Sequence, residues 1–452
     1  MVRKAGKRQV ILEVKPSCRL NGRVGVPGDK SISHRAALLG AIGQGVTRID
    51  GFLESEDCLA TLHCLSLLGT PIKRLAPGSY EIQGLGWDGF QEPTDVLNCG
   101  NSGTTMRLLI GVLASQPIFS VLTGDASLRD RPMGRVIEPL RKMEARIFGR
   151  GGDTRAPLAV LGSGNLKGKT HRLPVASAQV KSALLLAGLR AKGVTVVTEP
   201  GRSRNHTELM LQQMGVPVRV DGLTAAVEGG TLPKGGEITV PGDISSAAYL
   251  MVAAAVLPDS DITVENVGIN STRAGIIEVL QSMGADLEIE PLLGGGEPRA
   301  NIRVRTSPLR GIEIGGSIVP TLIDELPVIA VAAAFAQGTT IVKDAAELRV
   351  KECDRIAAVA QELGRLGVDI EERADGWVIR GGKNFSGGRA RGWGDHRIVM
   401  ALAVFGLGVK SPVEIADAEA VSISFPEFVT TLRKLGAEVE EKGSDLQDTQ
   451  AV

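Results

Sequence analysis

The run Pro27-Gly28-Asp29-Lys30-Ser31-Ile32-Ser33-His34-Arg35 is the densest chemical signal in the chain. Two cations and two hydroxyls gather at what reads as a helix start. A helix N-terminus attracts anions, and basic residues are disfavoured there unless something negative binds. The group therefore suits phosphates and carboxylates; a solvated first turn is the plainer alternative. It is not a P-loop, since GxxxxGK[ST] is absent. Asn101-Ser102-Gly103-Thr104-Thr105-Met106-Arg107 repeats the logic, and Gly103 admits close approach of a ligand to the backbone. Arg129, Arg131 and Arg135 precede another helix, where an ordinary basic surface is an equally good reading. Ser177, Gln179 and Lys181 open a further helix, and Arg202-Ser203-Arg204 is a weaker basic loop.

The C-terminal half adds carboxylates. Ile323-Asp324-Glu325-Leu326-Pro327 sets two at a helix start. Glu325 reads as an N-cap. Asp324, if it faces cations, stays ionised and can act as a base. Lys351-Glu352-Cys353-Asp354-Arg355 and Gly394-Asp395-His396-Arg397 follow. On a helix, Lys351 and Arg355 share a face, with Glu352 one position round. Surface ion pairing is the ordinary reading of such a run; its place at the entrance to a repeated helix argues for more.

These motifs fall at equivalent points of a unit written six times. Openings recur at Gly28, Gly100, Ala176, Gly242, Ile323 and Gly394. Their steps of roughly 66 to 81 residues exceed the usual solenoid periods. Copy one reads as a strand over 19–26, a helix over 31–42, a strand over 45–49, a helix over 54–68 and a strand over 71–74. Copies three and four repeat the pattern over 177–220 and 245–289. The opening of copy four carries no cation, which fits duplication for structure alone; several other copies are charged, with different residues, which points to specialisation around one site.

Size favours two lobes of three copies. The sequence predicts an α/β fold with an N-terminal lobe over 24–240. Residues 1–23 plus 241–452 form the C-terminal lobe. The Pro/Gly-rich stretch 232–241 reads as a crossing, and the β-like run 9–14 is expected to pair with the C-terminal lobe. The tail after Glu441 is polar and reads as frayed.

Composition removes several classes. Of 452 residues, 43% are hydrophobic, which is enough for a large core, and 57 glycines punctuate many short elements. Aromatics are 3%, and 51 Lys+Arg balance 51 Asp+Glu, so nucleic-acid binding is disfavoured. Neither the five cysteines nor the five histidines show metal-site spacing. The cysteines read as reduced thiols of a cytoplasmic protein. The basic start lacks the apolar region of a signal peptide, and the apolar runs are too short to span a bilayer.

Together PGDKSISHR, GNSGTTMR, RPMGRV, ASAQVKSALLLAGL, IDELP, LRVKECDR and GDHRIVMA resemble, in order, the motifs of the 5-enolpyruvylshikimate-3-phosphate synthase family. The resemblance spans about residues 10 to 440. It implies a fold of two lobes, each three copies of a βαβαββ unit, closing around the substrates. It implies transfer of the enolpyruvyl group of phosphoenolpyruvate to the 5-hydroxyl of shikimate 3-phosphate, without metal or organic cofactor, by a monomer. By motif, Lys30 meets both substrates. Ser31, Arg35, Ser177, Gln179, Asp324 and Lys351 meet shikimate 3-phosphate, with Arg35 suited to its ring carboxylate. Gly103, Arg131, Arg355 and Arg397 clamp phosphoenolpyruvate, and Gln179 reaches both substrates. Lys30, Asp324 and Glu352 are the implied catalytic groups.

Two departures stand out. Ser422-Ile423-Ser424-Phe425-Pro426 lacks a lysine common in the family, and Asn-Ser-Gly-Thr replaces Asn-Ala-Gly-Thr. Gly103 is retained and leaves room for the inhibitor glyphosate. The sister enzyme acting on UDP-N-acetylglucosamine is the rival reading; its Lys-Asn signature and reactive loop cysteine are not matched here. A non-catalytic anion-binding protein of the same repeat is a second, and it would not need Asp324 and Glu352.

Overall fold

The computed structural model describes residues 9–382 and 385–444. The basic start over 1–8 and the tail beyond Ser444 lie outside them. The chain divides into two compact units. Gly28–Pro241 with Gly294–Pro298 forms the N-terminal unit; the residues up to Pro27, Gly242–Leu293 and those from Arg299 onward form the C-terminal unit.

Six four-stranded sheets share one strand plan, three in each unit. Leu97–Asn98 lies parallel to Phe119–Thr123, which pairs antiparallel with Arg155–Leu161, which pairs antiparallel with the edge strand Arg146–Gly149. This is the βαβαββ unit, and the family resemblance anticipates it. What the repeat does not reveal is which strands meet. Asn21–Gly25, read as opening copy one, pairs parallel with Asp261–Gly268 of copy four. Its place beside Gln44–Asp50 is taken by Glu237–Thr239, inside the stretch expected to be only a crossing. Copies one and four thus exchange first strands. Gln9–Val14 fills the fourth-strand place between Val413–Ala416 and Val439–Ser444. That last strand shows residues 442–444 to be paired, where a frayed tail was expected.

The first helix of each copy explains where the polar residues sit. In the C-terminal unit, Ile244–Val256, Leu326–Phe335 and His396–Leu407 are apolar on every side, so they are buried in the core. Lys30–Ile42, Gly103–Ala114 and Ala178–Gly188 play this part in the N-terminal unit. With no polar face along such a helix, its chemistry collects at the N-terminal end. Asp29, Ser102, Ser177, Asp243 and Asp395 each cap one of these ends by accepting a backbone N–H. Among the glycines of these helices the closest approach is at Gly111, where an added Cβ would lie 2.3 Å from the Ala183 carbonyl oxygen of the neighbouring helix.

Two local expectations fail. Glu325 occupies the N-cap position of Leu326–Phe335 but makes no side-chain cap; its carboxylate turns into the core. Lys351, Glu352 and Cys353 are not helical; they form a bend between the 3-10 turn Ala346–Val350 and the helix Arg355–Arg365. Among the described residues, no single helix is long and apolar enough to cross a membrane.

Candidate active site

In the N-terminal unit, three helix starts carry the cations. Lys30 Nζ lies 2.5 Å from Asp57 Oδ2, and both side chains are partly exposed. Ser31 Oγ accepts from Arg204 Nη1 at 3.4 Å, so the weak 202–204 loop joins this start. Arg35 is placed differently from an open carboxylate ligand. It is 3% exposed, and it donates to Thr207 Oγ1 at 2.7 Å, Ser182 Oγ at 2.8 Å and the Ser31 carbonyl at 2.9 Å. Burial brings its pKa down to about 10. Arg35 therefore ties three helices together beneath Ser31. Lys181 is buried as well, held by Glu199 at 2.7 Å and Glu208 at 2.8 Å.

Gly103, Arg107, Arg131 and Gln179 come together. Arg107 Nη1 donates to Gln179 Oε1 at 2.7 Å, and Gln179 Nε2 donates to Thr104 Oγ1 at 2.9 Å. Arg131 Nη2 donates to Asn101 Oδ1 at 2.6 Å. A Cβ on Gly103 would sit 2.6 Å from Arg107 Nη1 and 3.5 Å from Arg131 Nη1, so the glycine faces both guanidiniums. Burial, then Arg135 and Arg131, lower the Arg107 pKa to about 10. Among the described residues, neither Arg107 nor Arg131 has a carboxylate within 4.0 Å. This corner holds positive charge that an anion would neutralise. Ser177 lies at the same helix start as Gln179, its Oγ accepting from the Val180 N–H at 3.5 Å.

A buried chain joins the first two starts. His34 Nδ1 bonds Thr61 Oγ1 at 2.7 Å, Thr61 bonds Thr105 Oγ1 at 2.7 Å, and Thr105 Oγ1 donates to the cap Ser102 at 2.7 Å.

The C-terminal unit gathers acids. Asp324 has Arg355 at 3.4 Å, Arg273 and Arg397 at 3.8 Å, and Lys351 at 3.9 Å. Arg355, 1% exposed, also donates to Glu352 Oε2 at 2.5 Å and to Asp395 Oδ2 at 2.8 Å. One guanidinium thus holds three carboxylates. Burial works to raise the Asp395 pKa, but Arg355, with His396 and the Arg397 N–H, outweighs it and holds the group below its ordinary value. For Arg397, burial is opposed by Asp324, Tyr249 and Glu325, and the net shift is upward. Lys351 also bonds Glu347 at 2.7 Å. Glu352 is half exposed, the most open of the three acids on Arg355.

Arg273 and Asp57 escape a reading of the sequence. Arg273 donates to Ser245 Oγ at 2.6 Å and approaches Asp243, Asp324 and Glu325, so copy four receives its cation from a loop. No local pattern marks that loop. Arg107 stood within a quoted motif without an assigned role. Ile423, at the missing lysine, is an exposed apolar residue closing a short 3-10 turn. Among the described residues, no group of three or more His, Cys, Asp or Glu could hold a metal ion.

The sequence profile of EPSP synthase (3-phosphoshikimate 1-carboxyvinyltransferase) matches residues 14–432. The chain belongs to this family. A 3-phosphoshikimate 1-carboxyvinyltransferase of Desulforamulus reducens is 52% identical over 425 residues, covering 94% of this chain and 99% of that one. One from Pelotomaculum thermopropionicum is 54% identical, covering 94% and 98%. The solved EPSP synthase of Acinetobacter baumannii superposes with a TM-score of 0.92 at 44% identity, over 96% of this chain and all of that one. The family is one of transferases of the shikimate pathway, and the six-sheet α/β architecture agrees with its solved structures.

Proposed function

We propose that this chain transfers the 1-carboxyvinyl group of phosphoenolpyruvate to the 5-hydroxyl of shikimate 3-phosphate and releases phosphate. One observation carries the residue assignments: Asp324 and Glu352 share the Arg355 guanidinium, at 3.4 and 2.5 Å. The two share one cation but not one environment, since Asp324 is ringed by four cations and Glu352 is half exposed with one, and unlike surroundings suit a pair of carboxyl groups to opposite proton transfers.

In this reading Glu352 protonates carbon 3 of phosphoenolpyruvate, making carbon 2 electrophilic. Asp324 takes the 5-hydroxyl proton as that oxygen bonds to carbon 2. The tetrahedral adduct then loses a proton from carbon 3 back to Glu352, the carbon 2–oxygen bond to phosphate breaks, and the double bond re-forms. Lys351, beside Asp324, contacts shikimate 3-phosphate with Ser31, Ser177 and Gln179. Arg35 acts on it through Ser31, whose carbonyl it holds. Gly103, Arg131, Arg355, Arg397 and Lys30 bind phosphoenolpyruvate, and we add Arg107 to this set. Each of the two units is taken as one lobe. The enzyme is taken to be a cytoplasmic monomer that needs no metal or organic cofactor.

Cys353 weighs against the amino-sugar rival. Burial, then Asp395, push its thiol up to about 12, so it is not a reactive thiolate. The deciding experiment is phosphate release from phosphoenolpyruvate with shikimate 3-phosphate or UDP-N-acetylglucosamine as acceptor. Release only with shikimate 3-phosphate is expected. Release only with the amino sugar would overturn the substrate, and release with neither would overturn catalysis.

A further inference from the structure

Beside the helix start that carries Ser177 and Gln179 there is a cleft of about 260 Å³. It lies within the N-terminal unit, lined by the helix Gly134–Lys142, the strand Thr170–Arg172 and the approach to Ala178–Gly188. Part of its wall is apolar: Pro139, Leu173, Pro174, Val175 and Val180. Val175 is 55% exposed, an apolar side chain left open at this place. Three cations, Arg135, Lys142 and Arg172, stand against a single carboxylate, Glu138. Among the described residues, none of these four charges has an ion-pair partner. His171 also lines the cleft. Its side chain is 96% buried (4% exposed), yet Nε2 has no hydrogen-bond partner among the described residues. Burying such a nitrogen without a partner is unfavourable unless something completes it.

We propose that this cleft binds a small organic monoanion, a carboxylate on a flat apolar body, at a site that adjoins the proposed acceptor site through Ser177 but is otherwise lined by residues assigned to neither substrate. Lys142 and Arg172 would hold the carboxylate, His171 would donate its Nε2–H, and Val175, Val180 and Leu173 would cover the apolar part. The volume, just below the range of drug-sized pockets, suits a small ligand such as a single-ring compound. Burial, then Lys142, lower the His171 pKa below its ordinary value, which favours the neutral ring. Because Ser177 both lines the cleft and caps the helix bearing Gln179, occupancy would be felt at that helix start.

The test is calorimetric titration of the full chain with phenylacetate, inorganic phosphate and benzyl alcohol as separate probes. No turnover is needed, so the result does not depend on the proposed reaction. Phenylacetate is expected to bind one to one, at least tenfold tighter than either other probe. Lys142→Ala with Arg172→Ala, in a protein whose melting temperature is unchanged, should weaken it tenfold or more. His171→Phe should weaken it by a smaller factor. Saturating shikimate 3-phosphate should leave the stoichiometry at one. Equal binding of phosphate, unchanged affinity in the double variant, displacement by shikimate 3-phosphate, or no binding of phenylacetate would each overturn the proposal.

Discussion

Asp324 sits within 4.0 Å of four cations, yet it is the acid assigned to remove a proton. Such surroundings keep a carboxylate charged and oriented. They also weaken it as a base until substrate anions draw some of those cations away. Asp324→Asn preserves shape and removes basicity. It should lower kcat by about 10²- to 10⁴-fold, with KM for shikimate 3-phosphate changed by less than about threefold, as steady-state phosphate release will show. Near-normal kcat would take Asp324 out of the mechanism. Gly103 tests the anion corner. A methyl group there meets the Arg107 tip at 2.6 Å, and that flexible end can yield at the expense of its bond to Gln179. Losing one charge-assisted hydrogen bond is worth roughly tenfold. Gly103→Ala should raise KM for phosphoenolpyruvate by about that factor and the inhibition constant for glyphosate by at least as much, with melting temperature preserved. If wild-type turnover resists millimolar glyphosate, the expectation drawn from Gly103 fails.

At the scale of elements, the closest glycine contact among the six first helices is Gly111 against Ala183. A Cβ at 2.3 Å from a backbone oxygen cannot be relieved by turning a side chain. Gly111→Ala should therefore destabilise by about 1–3 kcal/mol despite the better helix propensity of alanine. A fall in melting temperature, with KM for phosphoenolpyruvate raised because both helices carry site residues, is the expected result. The helices themselves were legible in the sequence, since a segment apolar all round with a capped polar start can hardly be anything else. The strands were legible as strands but not as partners. Nothing in Asn21–Gly25 says that it lies beside Asp261–Gly268, because pairing is settled by packing far along the chain. The same distinction divides the site. Residues at helix starts were found by motif, whereas Arg273 reaches its acids from a loop with no pattern of its own. The bend at 351–353 was misread as helix because its charges fit an i,i+4 spacing equally well.

For the whole molecule, the buried His34 predicts an acid-sensitive fold. Burial, aided by Lys30, lowers its pKa from 6.5 to about 3. Between those values the unfolded chain binds a proton that the folded one refuses, so stability rises with pH. The contribution is complete above about pH 6.5 and shrinks steadily as pH falls toward 3. At pH 5 the loss is about 2 kcal/mol. Urea denaturation at pH 7.5 and pH 5 should show this difference, and His34→Gln should flatten it; an unchanged slope in the variant would assign the effect elsewhere. The two-unit division has a further surprise in Gly294–Pro298, a hairpin loop of the C-terminal unit's sheet that belongs with the N-terminal unit. There Glu297 bonds His206 Nδ1 at 2.7 Å, both side chains buried. A glycine-rich turn between two strands gives no sign in sequence of such an attachment.

The place of Gln9–Val14 bears on how the protein is made. This strand leaves the ribosome early, but both of its neighbours are among the late segments of the chain; Val10 waits 409 residues for its bond to Glu419. At roughly 5–20 residues per second that delay is roughly 20–80 s. The stretch Gly28–Pro241 emerges during that interval and contains all three of its own sheets, so it can fold while the opening strand is still unpaired. A growing chain would then carry one finished unit and one exposed apolar ribbon, the kind of segment that chaperones shield during synthesis.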